Sequence, residues 1–520
     1  MSYIINKTEQ NNIDDEINEK EYEHFKRIKE YMDNCPVYEQ KSKKWLENRM
    51  NFISASDAGC VLKCNHYENY YKFILKKFEQ LPMYSYKNVY NGNKYETITT
   101  MIFEYLMDVR VLEYGFIPFY NGEYRSEIIK DKDVSFLGCS PDGVLSEYKY
   151  DWKHKSNKFG EMLEIKNPAS RKINMDLNAT EKDVFKDIPY YYQQVQQQLY
   201  CCDFNKCHFF QLKIEEYKDR NEFIEDTDIN CPFKSKKGEF KGAVIQILPY
   251  EKFKGTDLTN PDKDFLETIY ANAKFIYPPK IDMTFEEITD WKHKVQNKNY
   301  IPEYDNSMPY EYNERLLNSY RIIPGYKFHK IFYWKASYGR DQIVYKDPNW
   351  LNINYNQYKL TWDRVSFVKS NPFNELLFKK ICYFYKYINR LKSMIYFNQL
   401  RKDILINVHI PNKPNMFNVV DDIIIYELDK LRTINDLNND DNLQYLYNTL
   451  NTNREKILNS NLNINLNNKN KDNILYFSYR CIIVDSDSDT NDNSNNIINS
   501  NETNNINETE NINEINEIDN

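Results

Sequence analysis

The chain has 520 residues, 28% of them charged and 41% hydrophobic. Its length is enough for one large core with insertions or for two to three domains. The 12 glycines are too few for collagen-like or glycine-linker architectures, and no apolar run approaches the ~20 residues of a membrane-spanning helix. The start, MSYIINKTEQNNIDDE, lacks the order of a signal peptide, and ten scattered cysteines favour reduced thiols inside a cell.

The charge of the chain is unevenly distributed. The formal net charge is -8, but residues 481–520 carry ten Asp and Glu with no Lys or Arg, and residues 1–20 are also acidic. The body between these ends is therefore mildly basic, which permits DNA binding without demonstrating it.

The first half of the chain has helical and strand patterns in turn. EKEYEHFKRIKEYM predicts an amphipathic helix from about 17 to 32, ended by Asn34 and Pro36. From 45 to about 217, helical and strand periods alternate without a low-complexity break. Residues 218–250 are rich in loop signals and end in a predicted strand, GAVIQIL at 242–248.

The second half becomes increasingly polar. Residues 262–298 are predicted to be helical on both sides of a Tyr-Pro-Pro break, and residues 333–367 to form a strand and a helix. Residues 373–455 have apolar stripes typical of helices. Beyond about 456 the chain is rich in Asn and acidic residues, and disorder is predicted for 485–520.

Four segments within 92–200 carry the chemistry. In chain order they are GNKYE at 92–96, FLGCSPDGVL at 136–145, EMLEIK at 161–166 and YYYQQVQQQLY at 190–200. The second predicts a strand broken by a turn, the third a short strand, and the fourth a helix followed by an aromatic strand at 208–212.

Geometry brings acidic and basic side chains of these segments together. Glu164 and Lys166 are two residues apart on a strand and share a face, while Ile165 faces the core. Asp142 lies about twenty residues earlier, a distance that a hairpin closes. Two carboxylates beside the Ile165 carbonyl form an all-oxygen site suited to Mg²⁺ or Mn²⁺, and Glu96 could serve a second ion. Lys166 would position the attacking water and steady charge on a phosphate.

Each segment also has a simple structural explanation. Glu-x-Lys is common on solvated strands, Ser-Pro-Asp-Gly is usually a β-turn, and the glutamines suit a helix surface. Glu96 alone would be a carboxylate near a helix start. The combination in this order favours a site over these separate explanations.

The same segments resemble the PD-(D/E)xK nucleases, in particular the YqaJ and phage lambda exonuclease branch. WLENRMNFISASD at 45–57 is similar to the opening segment of that family, and the four segments above follow in family order. QIVYKD at 342–347 and a helix to about Val368 resemble its closing strand and helix. The resemblance is good over roughly 40–215 and loose over 330–370.

The resemblance implies a role for each site residue. It makes Asp142 and Glu164 metal ligands and Lys166 the catalytic lysine, with Glu96, Tyr191 and Gln194 beside them. Three residues match positions that bind the terminal 5′ phosphate in such enzymes: Arg49, Ser56 and Ser140. A guanidinium and two hydroxyls are suitable donors to a phosphate. After Lys166 the chain has Asn-Pro where the family often has Cys-Pro, so either Arg171 or Lys172 would contact phosphate. A surface salt bridge for Arg49 and a helix N-cap for Ser56 are the structural alternatives.

The resemblance also implies the fold and its organisation. It predicts an α/β protein with a restriction-endonuclease-like core, a central mixed sheet flanked by helices. The expected parts are a polar segment and helix at 1–35, the nuclease domain at 36–370 with an insertion at about 218–325, a mostly helical region at 371–455, and an Asn-rich acidic tail at 456–520.

The implied function is Mg²⁺-dependent exonuclease action, 5′→3′ on duplex DNA ends, in recombination or repair beside a single-strand annealing protein. The branch implies a ring trimer, and the Asn-rich composition suggests a large DNA virus, hence a factory in the host cytoplasm, or the nucleus. Two rival hypotheses are a structure-specific or single-strand endonuclease and a catalytically silent DNA-binding scaffold.

Related RecB-like nucleases have a Gln-x-x-x-Tyr helix, which Gln196 and Tyr200 satisfy, and some hold an iron–sulfur cluster. The spacing of Cys201, Cys202 and Cys207 does not suit such a cluster, so none is expected.

Overall fold

The computed structural model describes most of the chain up to residue 370. The described ranges are 3–4, 19–38, 42–65, 67–79, 86–120, 129–258, 261–297 and 299–370, with scattered positions at 372, 374–376, 378–379, 381–382, 424–426, 428–429 and 432. The helical region predicted for 371–455 lies almost wholly outside these residues, and the acidic tail at 456–520 lies entirely outside them.

Two sheets form the centre of the described part. Their strands are β1 Tyr3–Ile4, β2 Ile53–Ser54, β3 Val111–Leu112, β4 Ile117–Pro118, β5 Leu137–Cys139, β6 Gly143–Leu145, β7 Met162–Lys166, β8 Lys206–Glu216, β9 Phe240–Pro249, β10 Lys274–Ile276 and β11 Tyr326–Tyr345. The larger sheet has the order β10-β9-β11-β8-β7-β6-β3, with β1 beside β11, and the smaller has the order β2-β5-β4. The large sheet is mixed, because β7 and β8 run parallel whereas their outer neighbours run antiparallel.

Helices cover both faces of the large sheet. They are α1 Glu19–Asp33, α2 Lys43–Met50, α3 Ala58–Val61, α4 Tyr70–Lys76, α5 Tyr86–Met107, α6 Glu181–Phe185, α7 Pro189–Cys202, α8 Arg220–Glu225, α9 Tyr250–Phe253, α10 Lys263–Asn272, α11 Phe285–Gln296, α12 Tyr310–Asn318 and α13 Trp350–Lys369, with a 3₁₀ turn at Ala55–Asp57. Helix α5 packs on one face, against Leu163 and Ile165 of β7. Helices α7 and α13 pack on the other, against Met162 and Phe209.

The predicted fold class is therefore confirmed: a central mixed sheet lies between helices. Several elements predicted from sequence also form, including the helix ending near Met32, the strand at 242–248 and the pairing of β6 with β7. No helix within the described ranges is both long and apolar enough to cross a lipid bilayer.

Two predictions about local structure were wrong. Glu96 lies in the middle of the 22-residue α5, not near a helix start. The strand around 136–145 is not one strand with a turn, because β5 belongs to the small sheet and β6 to the large one. The Pro-Asp-Gly segment therefore crosses from one sheet to the other.

The segment at 218–325 extends the large sheet. Strands β9 and β10 continue the hydrogen-bonded ladder beyond β11. Arg315 of α12 binds the carboxylate of Glu104 in α5 at 2.8 and 3.0 Å, and its second nitrogen donates to the Val111 carbonyl at 2.7 Å. Since the Glu104 side chain is fully buried, this ion pair anchors the segment to the core.

The close approach of α3 and α7 supports a prediction about stability. A β-carbon at Gly59 would lie 2.5 Å from the β-carbon of Tyr190, so Gly59→Ala is expected to destabilise the fold by about 1–3 kcal/mol. A β-carbon at Gly92, inside α5, would meet no atom within 4 Å, so Gly92→Ala is expected to stabilise by about 0.5–1 kcal/mol. Thermal unfolding of both variants checks this, and a Gly59→Ala protein as stable as the parent would contradict the packing described.

Candidate nuclease site

The site begins where β6 and β7 pair. Gly143 lies opposite Leu163, which places Asp142 beside the carboxyl end of β7. The Asp142 carboxylate accepts a hydrogen bond from the Ile165 backbone N–H at 2.7 Å. The N–H and the C=O of one strand residue point to the same side, so the Ile165 carbonyl also faces Asp142. Asp142 is therefore held beside Ile165 at the end of β7, and the metal-ligand set stays a prediction.

Glu164 is the most firmly held member of the site. Its side chain is fully buried and faces α7, where the amides of Gln194 and Gln198 each donate to one of its oxygens at 2.7 Å. The ammonium of Lys166 donates to the same oxygen as Gln194. A buried carboxylate needs such donors, because removing an ionised group from water without them costs far more than the roughly 2–7 kcal/mol of a neutral polar group.

Lys166 lies between the carboxylates and an aromatic ring. Its Nζ is 4.8 Å from the centroid of the Tyr191 ring, a cation–π contact. Burial alone would lower the pKa of Lys166, but the carboxylates of Glu164 and Asp142 raise it above its ordinary value. The side chain is thus a stable ammonium within the acidic cluster.

Glu96 reaches this cluster from α5. Burial, with Glu113 and Glu164 nearby, raises the pKa of Glu96 to about 7 against the lowering effect of Lys166. Burial, Glu164 and Glu96 also raise the pKa of Asp142 well above its ordinary value. The shifts show that the three carboxylates repel one another across the site.

The described residues contain no cluster of three or more His, Cys, Asp or Glu side chains arranged to hold a metal ion. The ligand set predicted for this site differs in kind, since its first ion would take two carboxylates and one backbone carbonyl. That set of oxygen donors suits Mg²⁺ or Mn²⁺.

A second cluster joins α2 to the turn after β2. The Arg49 guanidinium donates to the hydroxyls of Ser54 and Ser56 at 3.1 and 2.9 Å, and it stacks 4.7 Å from the Trp45 ring centroid. Ser56 is exposed, whereas the capping hydroxyl of the turn is that of Ser54, bonded to Asp57. The N-cap alternative for Ser56 is therefore wrong, and Ser54 is a member that sequence reasoning missed.

Ser140 lies close to this second cluster in the topology. Strands β2 and β5 run parallel with Ser54 opposite Gly138, so Ser56 and Ser140 both follow the carboxyl ends of neighbouring strands. Ser140 is exposed.

Arg171 and Lys172 differ in their surroundings. Arg171 donates to the side-chain oxygen of Gln211 at 2.8 Å, and Gln211 is the β8 residue paired with Lys166. Lys172 is exposed. Of the two, Arg171 is thus the one held beside the acidic site, which is formed by Asp142, Glu164 and Lys166.

The structural alternative for the glutamines of α7 was that they cover the helix surface. They instead contact other elements of the protein. Gln197 donates to the carbonyls of Ile53 and Gly138 at 2.8 and 3.0 Å, and Gln196 binds the Tyr345 carbonyl and the Asp347 N–H. Gln198 was missed by sequence reasoning, although its spacing of four residues from Gln194 places both on one helix face. The pair that contacts the acidic site is accordingly 194 and 198.

The Gln-x-x-x-Tyr pair lies on another face of α7. The Tyr200 hydroxyl donates to the Asp347 carbonyl at 2.8 Å, so this pair fastens the segment between β11 and α13. The thiols of Cys201, Cys202 and Cys207 are buried, and the sulfur of Cys202 is 3.4 Å from that of Cys139. The cysteines of the described part form no disulfides. Buried thiols commonly pack as small hydrophobic side chains.

Comparison with known proteins gives three likenesses. Residues 44–205 match the family described as the YqaJ-like viral recombinase domain. An uncharacterised protein of Acanthamoeba polyphaga mimivirus is 30% identical over 376 residues, 71% of this chain and 60% of the relative. The chain thus spans less than two thirds of that relative, whose source supports the expected origin in a large DNA virus.

The third likeness is to a solved structure, an alkaline exonuclease from Laribacter hongkongensis. It is 19% identical, with a TM-score of 0.22, over 33% of this chain and 74% of the other. The same enzyme in complex with dAMP is 17% identical, with a TM-score of 0.22, over 35% and 78%. The matched segment 44–205 contains Arg49, Asp142, Glu164 and Lys166, so the candidate site lies within the part of the chain that is similar to the YqaJ-like viral recombinase domain.

Proposed function

We propose that the protein is a metal-dependent deoxyribonuclease that digests one strand of duplex DNA from its ends. The observation that carries the proposal is the convergence of Asp142, Glu164 and Lys166 at one end of β6 and β7 within the matched domain. The 5′→3′ direction and a role in viral recombination or repair follow from the family resemblance.

The site has donors that fit a divalent metal ion. Asp142, Glu164 and the Ile165 carbonyl would hold the first ion, and Glu96 would contribute to a second. Crowded, buried carboxylates with raised pKa values are groups whose repulsion a divalent cation relieves. The chemistry that such an ion supplies when bound is polarisation of a phosphoryl oxygen and stabilisation of the leaving oxygen.

The protein's own side chains would orient the substrate and hold charge. The Lys166 ammonium would donate to the scissile phosphate and steady its growing negative charge, with the Tyr191 ring limiting its position. Gln194 and Gln198 would keep the Glu164 carboxylate in one orientation. Arg171 would contact a neighbouring phosphate from the β8 side.

Arg49, Ser56 and Ser140 would bind the terminal 5′ phosphate. The guanidinium already forms two hydrogen bonds to hydroxyls, a preorganised set of donors that a dianionic phosphate would share. Lys172, being exposed, would contribute general attraction to the DNA backbone. A single-strand annealing partner, a ring trimer and action in the host cytoplasm complete the proposal by resemblance to the family.

End-resolved digestion tests this function. Linear duplex DNA labelled at each strand end, with and without 5′ phosphate, is incubated with the protein in Mg²⁺ and in EDTA, beside nicked and closed circles. We expect loss of label from phosphorylated 5′ ends in Mg²⁺ only, with closed circles intact. Cleavage of closed circles would instead favour an endonuclease, and binding without hydrolysis in Mg²⁺ or Mn²⁺ would favour a silent scaffold.

Arg49→Lys is expected to reduce the preference for phosphorylated ends. Lysine keeps the charge but loses the fixed planar geometry by which one guanidinium nitrogen donates to both hydroxyls, so the ratio of rates on 5′-phosphate and 5′-hydroxyl ends should fall about tenfold. Arg321→Lys, at an exposed position of the 218–325 segment, is the matched control and should leave the ratio unchanged. An unaltered ratio in Arg49→Lys would remove Arg49 from the phosphate site.

A further inference from the structure

Three tyrosines form a continuous chain of ring contacts from the surface to the acidic site. Tyr67, in the loop between α3 and α4, is 80% exposed. Its ring centroid lies 5.8 Å from that of Tyr190, at an angle of 87°. The Tyr190 ring is 4.4 Å from the Tyr191 ring, which in turn contacts the Lys166 ammonium. We call Tyr67, Tyr190 and Tyr191 the tyrosine ladder.

The ladder lies between the two clusters of the site. At its base, Tyr191 contacts the lysine proposed to meet the scissile phosphate. At its middle, the Tyr190 backbone packs against Gly59, three residues after Ser56 of the second cluster. Arg171 is near enough to Tyr190 to oppose the rise in that phenol's pKa, which burial causes. Positive charge therefore flanks the rings on the route to Lys166.

An exposed ring in this position has a chemical use. A single exposed tyrosine is ordinary in a chain with 45 of them, but one that continues a ring contact to the proposed catalytic lysine is less so. Aromatic rings beside cations are the usual means of binding unpaired bases, because every base has a π-face and every nucleotide a phosphate. A paired duplex exposes only the outer face of its terminal base pair to such a ring, whereas an unpaired strand exposes the faces of each of its bases.

We propose that Tyr67 and Tyr190 bind unpaired bases of the DNA strand whose phosphate reaches Lys166. The terminal bases would leave the duplex and stack on the exposed Tyr67 ring while the backbone continues to the acidic site. This inference rests on the proposed function and makes it more specific: it assigns Tyr67 and Tyr190 as the side chains that hold unpaired bases of the strand on its way to the acidic site.

A double-mutant cycle tests the proposal: the Tyr67 side chain and the DNA base are removed separately and together. Single-stranded, 5′-phosphorylated oligonucleotides, with normal or abasic nucleotides at the first four positions in turn, are bound in EDTA to the parent protein and to Tyr67→Ala. Fluorescence anisotropy measures each Kd. We expect Tyr67→Ala to weaken binding of the normal oligonucleotide about five- to twentyfold, as loss of one stacked base does, and to have little effect once the stacked base is absent.

Two further variants define the outcome. Tyr67→Phe keeps the ring and should bind like the parent, whereas Tyr304→Ala, a 61% exposed tyrosine of the 218–325 segment, should change nothing. An equal loss in Tyr67→Ala on normal and abasic oligonucleotides would overturn the proposal, since the side chain would then contact the backbone. No loss on any oligonucleotide would overturn it as well.

The result is independent of hydrolysis. If Tyr67 is coupled to a base but the protein cuts no DNA in Mg²⁺ or Mn²⁺, base binding by the tyrosine ladder is established and the nuclease function is rejected. If the protein digests DNA from duplex ends but Tyr67 is not coupled to any base, the nuclease function is established and base binding by the tyrosine ladder is rejected.

Discussion

Lys166→Met is expected to slow hydrolysis of duplex ends by about a hundred- to a thousandfold, the effect typical of removing one charge-stabilising donor. Methionine keeps an unbranched apolar chain over the Tyr191 ring but cannot donate to Glu164 or to phosphate. Binding of 5′-phosphorylated DNA should remain within a fewfold of the parent, since the Arg49 cluster is untouched. Single-turnover digestion and anisotropy measure the two quantities separately.

The matched control for this variant is Lys237→Met, which removes the same charge from an exposed loop. It should digest DNA at the parent rate at equal ionic strength. If Lys166→Met were as active as Lys237→Met, Lys166 would be a structural partner of Glu164 alone. If Lys166→Met lost DNA binding in proportion to activity, its role would lie in affinity and not in the reaction.

The second large effect is expected for Gln198→Leu. Leucine is similar in size, but it leaves one oxygen of the fully buried Glu164 carboxylate without its amide donor. Groups that orient a ligand typically contribute about 10–100-fold to metal affinity. We therefore expect Mn²⁺ binding, followed by electron paramagnetic resonance without DNA, to weaken by about that factor, and the Mg²⁺ concentration for half-maximal digestion to rise.

Gln196→Leu separates this effect from a general disturbance of α7. Gln196 is equally buried, yet it binds the segment after β11 and not Glu164. Its loss should lower the thermal unfolding temperature without changing Mn²⁺ affinity. Equal Mn²⁺ affinities in the two variants would show that Gln198 does not orient a metal ligand.

The acidic site was predictable because its members obey short-range rules. Alternation along a strand places Glu164 and Lys166 on one face, and a hairpin brings back Asp142; β6 and β7 confirm both. Twofold alternation also explains why Ile165 enters the core with α5. These relations need only local geometry, so one sequence contains enough information to derive them.

Contacts between distant elements were harder to predict. Strand β5 lies in a different sheet from β6 because it pairs in parallel with β2, some 80 residues away. No local pattern in the sequence indicates this pairing. Gln198 was missed for a related reason, because its partner Glu164 lies on β7. Ser54 is different, since its partners Arg49 and Asp57 are only five and three residues away. Polar residues in a polar, Asn-rich chain give little indication of which of them will be buried.

The length of β11 has a consequence for shortening this protein. Its residues 326–332 pair, within the described part of the chain, with β9 only, and β9 belongs to the 218–325 segment. Excising that segment at its ends would therefore leave seven residues of strand as a bare edge, with Phe328 and Ile331 losing the apolar cluster against which they pack. Such an edge recruits other chains, so a minimal version should also cut back β11 to about Tyr333, where pairing with β8 begins. On this geometry, the segment at 218–325 cannot be removed at its own ends without unpairing part of β11.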